Sequence, residues 1–197
     1  MLARLVLPLI MLSLTALPAL PQANLRPDPA PRLPQQPGQG LALKDQQFIV
    51  RAANLSDAEI EAGKLAASKA PAADVKAFGE RVAADHQKLR KAIADLAQKA
   101  NVKVESHASR PTWQAELQRL QGLSGADFER EFLNWQLQVH LSLADMYQTQ
   151  ASNSPDTELA KFAIVSLKTV QDRFDEAKRL GGRYGLAANT IKQPPQY

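Results

Sequence analysis

From about residue 43 onward, apolar side chains recur at three- and four-residue steps, the repeat that gathers them on one face of an α-helix. Leu43 to Lys69 carries Phe48, Ala52, Leu55, Ala62 and Leu65 in this register, and Ala72 to Ala100 carries Val75, Phe78, Val82, Leu89, Ile93 and Leu96. Gly125 to Ser152 repeats it with Phe128, Phe132, Trp135, Val139, Leu143 and Met146. Pro155 to Leu180 closes the series with Leu159, Ala163, Leu167, Val170, Phe174 and Ala177. The pattern predicts four amphipathic helices of about 26 to 29 residues, each roughly 40 Å long at 1.5 Å per residue.

The punctuation agrees with the period. Of the 13 prolines, Pro71, Pro111 and Pro155 are the only ones across the body, and each falls between helical segments. Ser154 reads as an N-cap with Pro155 at the first helical position, Ser124 with Asp127 as the opening of the third helix, and Gly181-Gly182 as the stop of the fourth. The breaks near Pro71 and Ser154 are short and predict antiparallel hairpins, whereas Asn101 to Ser124 is long enough to travel the length of a bundle. Within that crossover, Thr112 to Gln121 can form a short helix laying Trp113, Leu117 and Leu120 over one end or side. The expected fold is all-α: a ferritin-like four-helix bundle of two antiparallel hairpins joined by a long crossover containing a short helix.

Particular stretches carry a family resemblance. AEIEAGKLAASKAPAADVKAFGERVAADHQKL (Ala58 to Leu89), FEREFLNWQLQVH (Phe128 to His140) and ELAKFAIVSLKTVQDRFDEAKRL (Glu158 to Leu180) resemble a bacterial secreted family of unknown function. Its members have a ferritin-like fold and are often labelled outer-membrane proteins. The resemblance runs from about Leu43 to Leu180 and implies the fold, but no common activity. Where that family has Asp-His in the third helix this chain has Val139-His140, and where it has His in the fourth this chain has Arg173.

The polar residues narrow the chemistry. Di-iron bundles need a Glu-x-x-His pair on each of two helices, yet Ala83 and Leu137 stand three residues before His86 and His140. A ferroxidase centre is therefore not expected. Glu59, His86 and His140 lie on the apolar sides of the first three helices and are placed to converge. One reading is a mononuclear metal site of Glu59, His86 and His140, with Asp85 as a further ligand. The favoured reading is a structural polar layer of Glu59, His86, His140 and Arg173, because an arginine would repel a cation and attract Glu59 or Asp85. His107 falls in the crossover and is expected to face solvent.

There is no G-x-S-x-G elbow, Walker loop, H-E-x-x-H or dinucleotide fingerprint, so no catalytic residue and no organic cofactor is assigned. Carboxylate pairs such as Glu59/Glu61 and Asp172/Asp175 recur as they do on any charged helix face.

Composition adds the address. Residues 5–20 read LVLPLIMLSLTALPAL after a single Arg4, an apolar run broken by Pro8 and Pro18. This reads as a secretory signal over residues 1–23, cleaved after Ala19 or Ala23. Retention as an inner-membrane anchor is the alternative. Residues 24–42 hold five prolines and two glycines and read as an extended linker. The bundle then occupies 43–181, with a tail over 182–197. The 24 Lys and Arg against 20 Asp and Glu leave a net charge of +4, too interspersed to call for nucleic acid. The absence of cysteine removes thiolate chemistry and disulfides. The expectation is an exported, non-enzymatic protein of the cell envelope acting on an unknown protein or surface. A metal-binding or redox bundle and a membrane-anchored structural protein are the alternatives.

Overall fold

The computed structural model describes residues 40–105 and 111–186. The expected signal segment, nearly all of the linker, His107 and the last part of the tail lie outside the described residues. Among the described residues there are five α-helices and no strand. They are α1 (Leu43–Lys69), α2 (Ala73–Lys99), α3 (Pro111–Gly122), α4 (Gly125–Asn153) and α5 (Thr157–Gly181), followed by a 3₁₀ turn, Gly182–Tyr184.

The four long helices pair as the short connections require. α1 packs along α2 and α4 along α5, while α1 also meets α4 and α2 meets α5. Every one of these contacts is antiparallel between α1 and α4 and between α2 and α5. Near the start of α1, Asp45 accepts from Gln150 Nε2 near the end of α4 at 2.7 Å, and further along α1, Glu59 meets Gln136. On the other side Lys99 pairs with Glu158 and, toward the opposite ends, Arg81 pairs with Glu176. The end of α2 thus sits beside the start of α5, while Glu129 near the start of α4 accepts from Ala72 N in the α1–α2 turn at 2.7 Å. The connection between α2 and α4 must therefore run from one end of the helices to the other, and α3 is part of that run.

The core follows the predicted faces. Phe48, Leu55, Val75, Phe78, Val82, Ile93, Phe128, Phe132, Leu143, Leu159 and Val170 are all buried. Phe128 and Phe132 stack with ring centroids 6.0 Å apart, and Phe78 leans on Phe132 at the same distance. Each such ring removed from water contributes on the order of 2–3 kcal/mol. α3 buries Trp113, Leu117 and Leu120, the three residues its period singled out.

α1 and α2 approach unusually closely through two glycines. A Cβ on Gly63 would stand 2.6 Å from Gly79 O, and one on Gly79 would stand 2.7 Å from Gly63 O. Only hydrogen in both places lets the backbones come this near.

One helix boundary differs from expectation, while α5 ends at Gly181 as expected. Ser154 terminates α4 instead of capping α5. The α5 N-cap is Asp156, whose carboxylate accepts from Leu159 N at 2.9 Å. The reason is Pro155: it forces the preceding residue out of the helical region, and Ser154 accordingly has φ −68° and ψ 129°. Its hydroxyl instead accepts from Asp156 N at 3.1 Å. At the other end the fold continues beyond Gly181. Tyr184 donates its hydroxyl to Glu129 Oε2 at 2.6 Å, and Arg183 pairs with Asp74 at 2.7 Å.

Candidate functional site

Glu59 from α1, His86 from α2 and His140 from α4 meet in the interior, at 0%, 1% and 0% exposure. One ligand-capable atom of each lies within 4.8 Å of the others. The convergence expected from helical position is thus present in space. The close approach at Gly63 and Gly79 serves it: Glu59 is one turn from Gly63 and His86 two turns from Gly79, on the faces that α1 and α2 turn to each other.

Glu59 is held by neutral donors. Trp135 Nε1–H donates to its Oε1 at 2.7 Å, and Gln136 Nε2–H donates to its Oε2 at 2.7 Å. Burial raises its pKa to about 7, against the opposing pull of these two hydrogen bonds. Neither histidine donates to the carboxylate.

His140 is oriented by its own helix. Its Nδ1 lies 3.0 Å from the carbonyl oxygen of Gln136, which can only accept, so Nδ1 carries the proton and Nε2 presents a lone pair. Nε2 is buried and has no hydrogen-bond partner among the described residues, and the same holds for His86 Nδ1. The two rings sit edge to face with centroids 5.6 Å apart. Burial holds the pKa of His140 down at about 4, with the Arg173 charge acting in the same direction and the Gln136 carbonyl and Asp85 opposing. His86 is lowered well below its ordinary value by burial first, then by His140 and Arg173. Both imidazoles are therefore neutral near pH 7, the form in which histidine binds a metal.

Of the two carboxylates that Arg173 was expected to attract, Glu59 or Asp85, it pairs with Asp85. Arg173 donates from Nε to Asp85 at 3.0 Å and pairs with Glu176 as well, with 18% of its side chain exposed. Glu59 is bonded to Trp135 and Gln136 and not to Arg173. Asp85 follows from its place one residue before His86, which turns it about 100° away from the face that points inward. Asp85 and Glu176 pair with Arg173, but Glu176 is shared with Arg81 and Arg179, and the Arg173 charge still lowers the pKa of both histidines and opposes a cation there.

The donor set fits a metal ion as well as a hydrogen-bonded layer. A satisfied layer leaves few buried polar atoms unpaired, whereas here two imidazole nitrogens lack partners beside a carboxylate. Around an ion with bonds of about 2.1 Å, tetrahedral donors stand about 3.4 Å apart, so closure moves each of three donors inward by less than about 1 Å. The His140 N–H to a backbone carbonyl is the outer contact that metal-bound histidines regularly make. A di-iron centre does not fit, since neither histidine brings a carboxylate three residues before it.

Trp135 and Gln136 were not singled out by the sequence for this role. Trp135 reads as one more core aromatic, and Gln136 carries no titratable group. The available signal was spacing, because Gln136 lies four residues before His140 and shares its face.

No helix among the described residues is long and apolar enough to cross a membrane. No curated protein and no solved structure matches the chain. The family described as a domain of unknown function, DUF4142, matches residues 30–180, and the chain belongs to it.

Proposed function

We propose that this protein is an exported, ferritin-like four-helix bundle of the bacterial cell envelope that binds one divalent transition-metal ion through Glu59, His86 and His140. The observation that carries the reading is the convergence of ligand atoms of Glu59, His86 and His140 within 4.8 Å, with a partnerless buried nitrogen on each imidazole. The hairpin, crossover, hairpin order supports the ferritin-like arrangement, and the apolar run at residues 5–20 supports export. Two neutral imidazoles with one carboxylate and no thiolate suit Zn²⁺, Mn²⁺, Fe²⁺ or Cu²⁺ better than Ca²⁺ or Mg²⁺, which prefer oxygen alone. The role is binding without catalysis, since the three side chains expose almost nothing to a substrate.

The test is thermal unfolding of protein purified in chelator, with and without added Zn²⁺, Mn²⁺, Fe²⁺ or Cu²⁺. An ion that binds only the folded state stabilises it by about 2.7 kcal/mol at 100 times its dissociation constant. His86→Ala and His140→Ala should abolish that shift. Wild-type protein that stays at the metal-free melting temperature with every ion would overturn the reading in favour of a structural polar layer.

Interaction with an envelope protein or surface is the second reading. It is favoured by Ile164 and Val165, 59% and 73% exposed side by side on α5. Crosslinking in the native envelope tests it, through loss of adducts on charge substitution at Val165.

A further inference from the structure

An ion on Glu59, His86 and His140 has three protein ligands, one fewer than the closed tetrahedral shell of structural zinc sites. Gln136 offers the fourth. It is fully buried, and its Nε2 is fixed on Glu59 Oε2 at 2.7 Å. Glu59 binds a metal in its ionised form, which only accepts, so in that form the amide nitrogen faces Glu59 and the amide oxygen is thereby assigned as well. That oxygen, Oε1, is buried without a hydrogen-bond partner among the described residues. Gln136 also stands one turn before His140 on the same face of α4, and its backbone carbonyl sets the His140 tautomer. Gln136 Oε1 thus joins His86 Nδ1 and His140 Nε2 as a partnerless buried atom, on a side chain that is itself bonded to Glu59.

We propose that Gln136 Oε1 is the fourth ligand, so that Glu59, His86, Gln136 and His140 close a tetrahedral shell around a zinc-class ion and leave no position for an exogenous ligand. This rests on the metal reading above and adds to it the coordination number and the role. Two ligands come from the α1–α2 hairpin and two from α4 of the α4–α5 hairpin. The ion is then a clasp between hairpins, and substrate chemistry at the metal is excluded by the full shell.

Co²⁺ loaded into the purified chain reports the shell directly, because four-coordinate Co²⁺ absorbs visible light far more strongly than five- or six-coordinate Co²⁺. The wild type should show the intense bands, and added azide should leave them unmoved. Gln136→Met keeps the volume and removes the oxygen, so its Co²⁺ should take azide and its bands should shift. Gln136→Glu restores an oxygen and should restore azide resistance. Weak wild-type bands, or bands that azide shifts equally in wild type and Gln136→Met, would overturn the fourth ligand while leaving a three-ligand site standing. Wild-type protein that binds no Co²⁺ and no Zn²⁺ overturns the metal reading and this proposal together. If Gln136→Met does not fold, the wild type decides alone: Co²⁺ bands that azide shifts overturn the fourth ligand, and intense bands that azide leaves unmoved support it.

Discussion

Replacing Gly63 by Ala should separate α1 from α2 and weaken both the fold and the site. The added Cβ would meet Gly79 O at 2.6 Å, Ala83 N at 2.8 Å and Ala83 Cβ at 3.1 Å, where ordinary contact begins at 3.4 Å. Two of the three obstacles are backbone atoms, so no side-chain rotation relieves them. Against this stands the intrinsic preference of a helix for Ala over Gly, about 1 kcal/mol. Overpacking costs about 1–3 kcal/mol, and rigid backbone on the far side places Gly63 at the upper end. The net expectation is destabilisation by about 1–2 kcal/mol. In a domain of this size that lowers the melting temperature by roughly 2–8 °C. Glu59 lies one turn away on α1, so the same movement should draw it from His86 and weaken metal binding. Denaturant and thermal unfolding measure the first effect, with Gly122→Ala as the control, because a Cβ there meets nothing within 4 Å. A Gly63→Ala protein as stable as the wild type, or more so, would show that α1 and α2 do not meet as closely as described.

The metal-free protein should lose stability in acid. His140, held at about 4 against an ordinary 6.5, takes up its proton in the unfolded chain first, so stability falls between about pH 6.5 and 4, and His86 acts in the same direction. Glu59, raised from 4.5 to about 7, has the opposite slope: its contribution is present below pH 4.5 and is lost as pH rises to 7. Glu59→Gln removes that compensation and should steepen the acid loss by up to about 3 kcal/mol between pH 7 and 4.5, read as unfolding midpoints across the range; an unchanged slope would count against the raised pKa. Asp156→Ala should cost about 1 kcal/mol as the loss of an N-cap, and Ser154→Ala less, the reverse of what a Ser154 cap requires.

What the sequence made legible was whatever depends on one helix at a time. A single period of 3.6 places Phe48, Phe78, Phe132 and Val170 inward, and three prolines mark where it stops. Convergence of Glu59, His86 and His140 was also within reach, since each lies on an apolar face and three such faces share one core. What escaped depends on pairs of backbones. The Gly63 and Gly79 contact is invisible along either helix, because a glycine in a helical pattern reads as a weak point until the facing glycine is known. Arg173 was expected to attract Glu59 or Asp85, and its place on α5 left open which of the two it would reach. A long side chain, however, follows its charge partners, and Asp85 and Glu176 at the helix edge draw it outward. Gln136 escaped for a different reason: an amide is uncharged and untitratable, and its worth at a site lies in offering a donor and an acceptor in opposite directions. Placed one turn before His140, it can hold Glu59 with one end and present an oxygen with the other. A search of helical faces for Gln or Asn four residues before an inward histidine would have found it, which makes that spacing, more than the histidine itself, the informative signal in this chain.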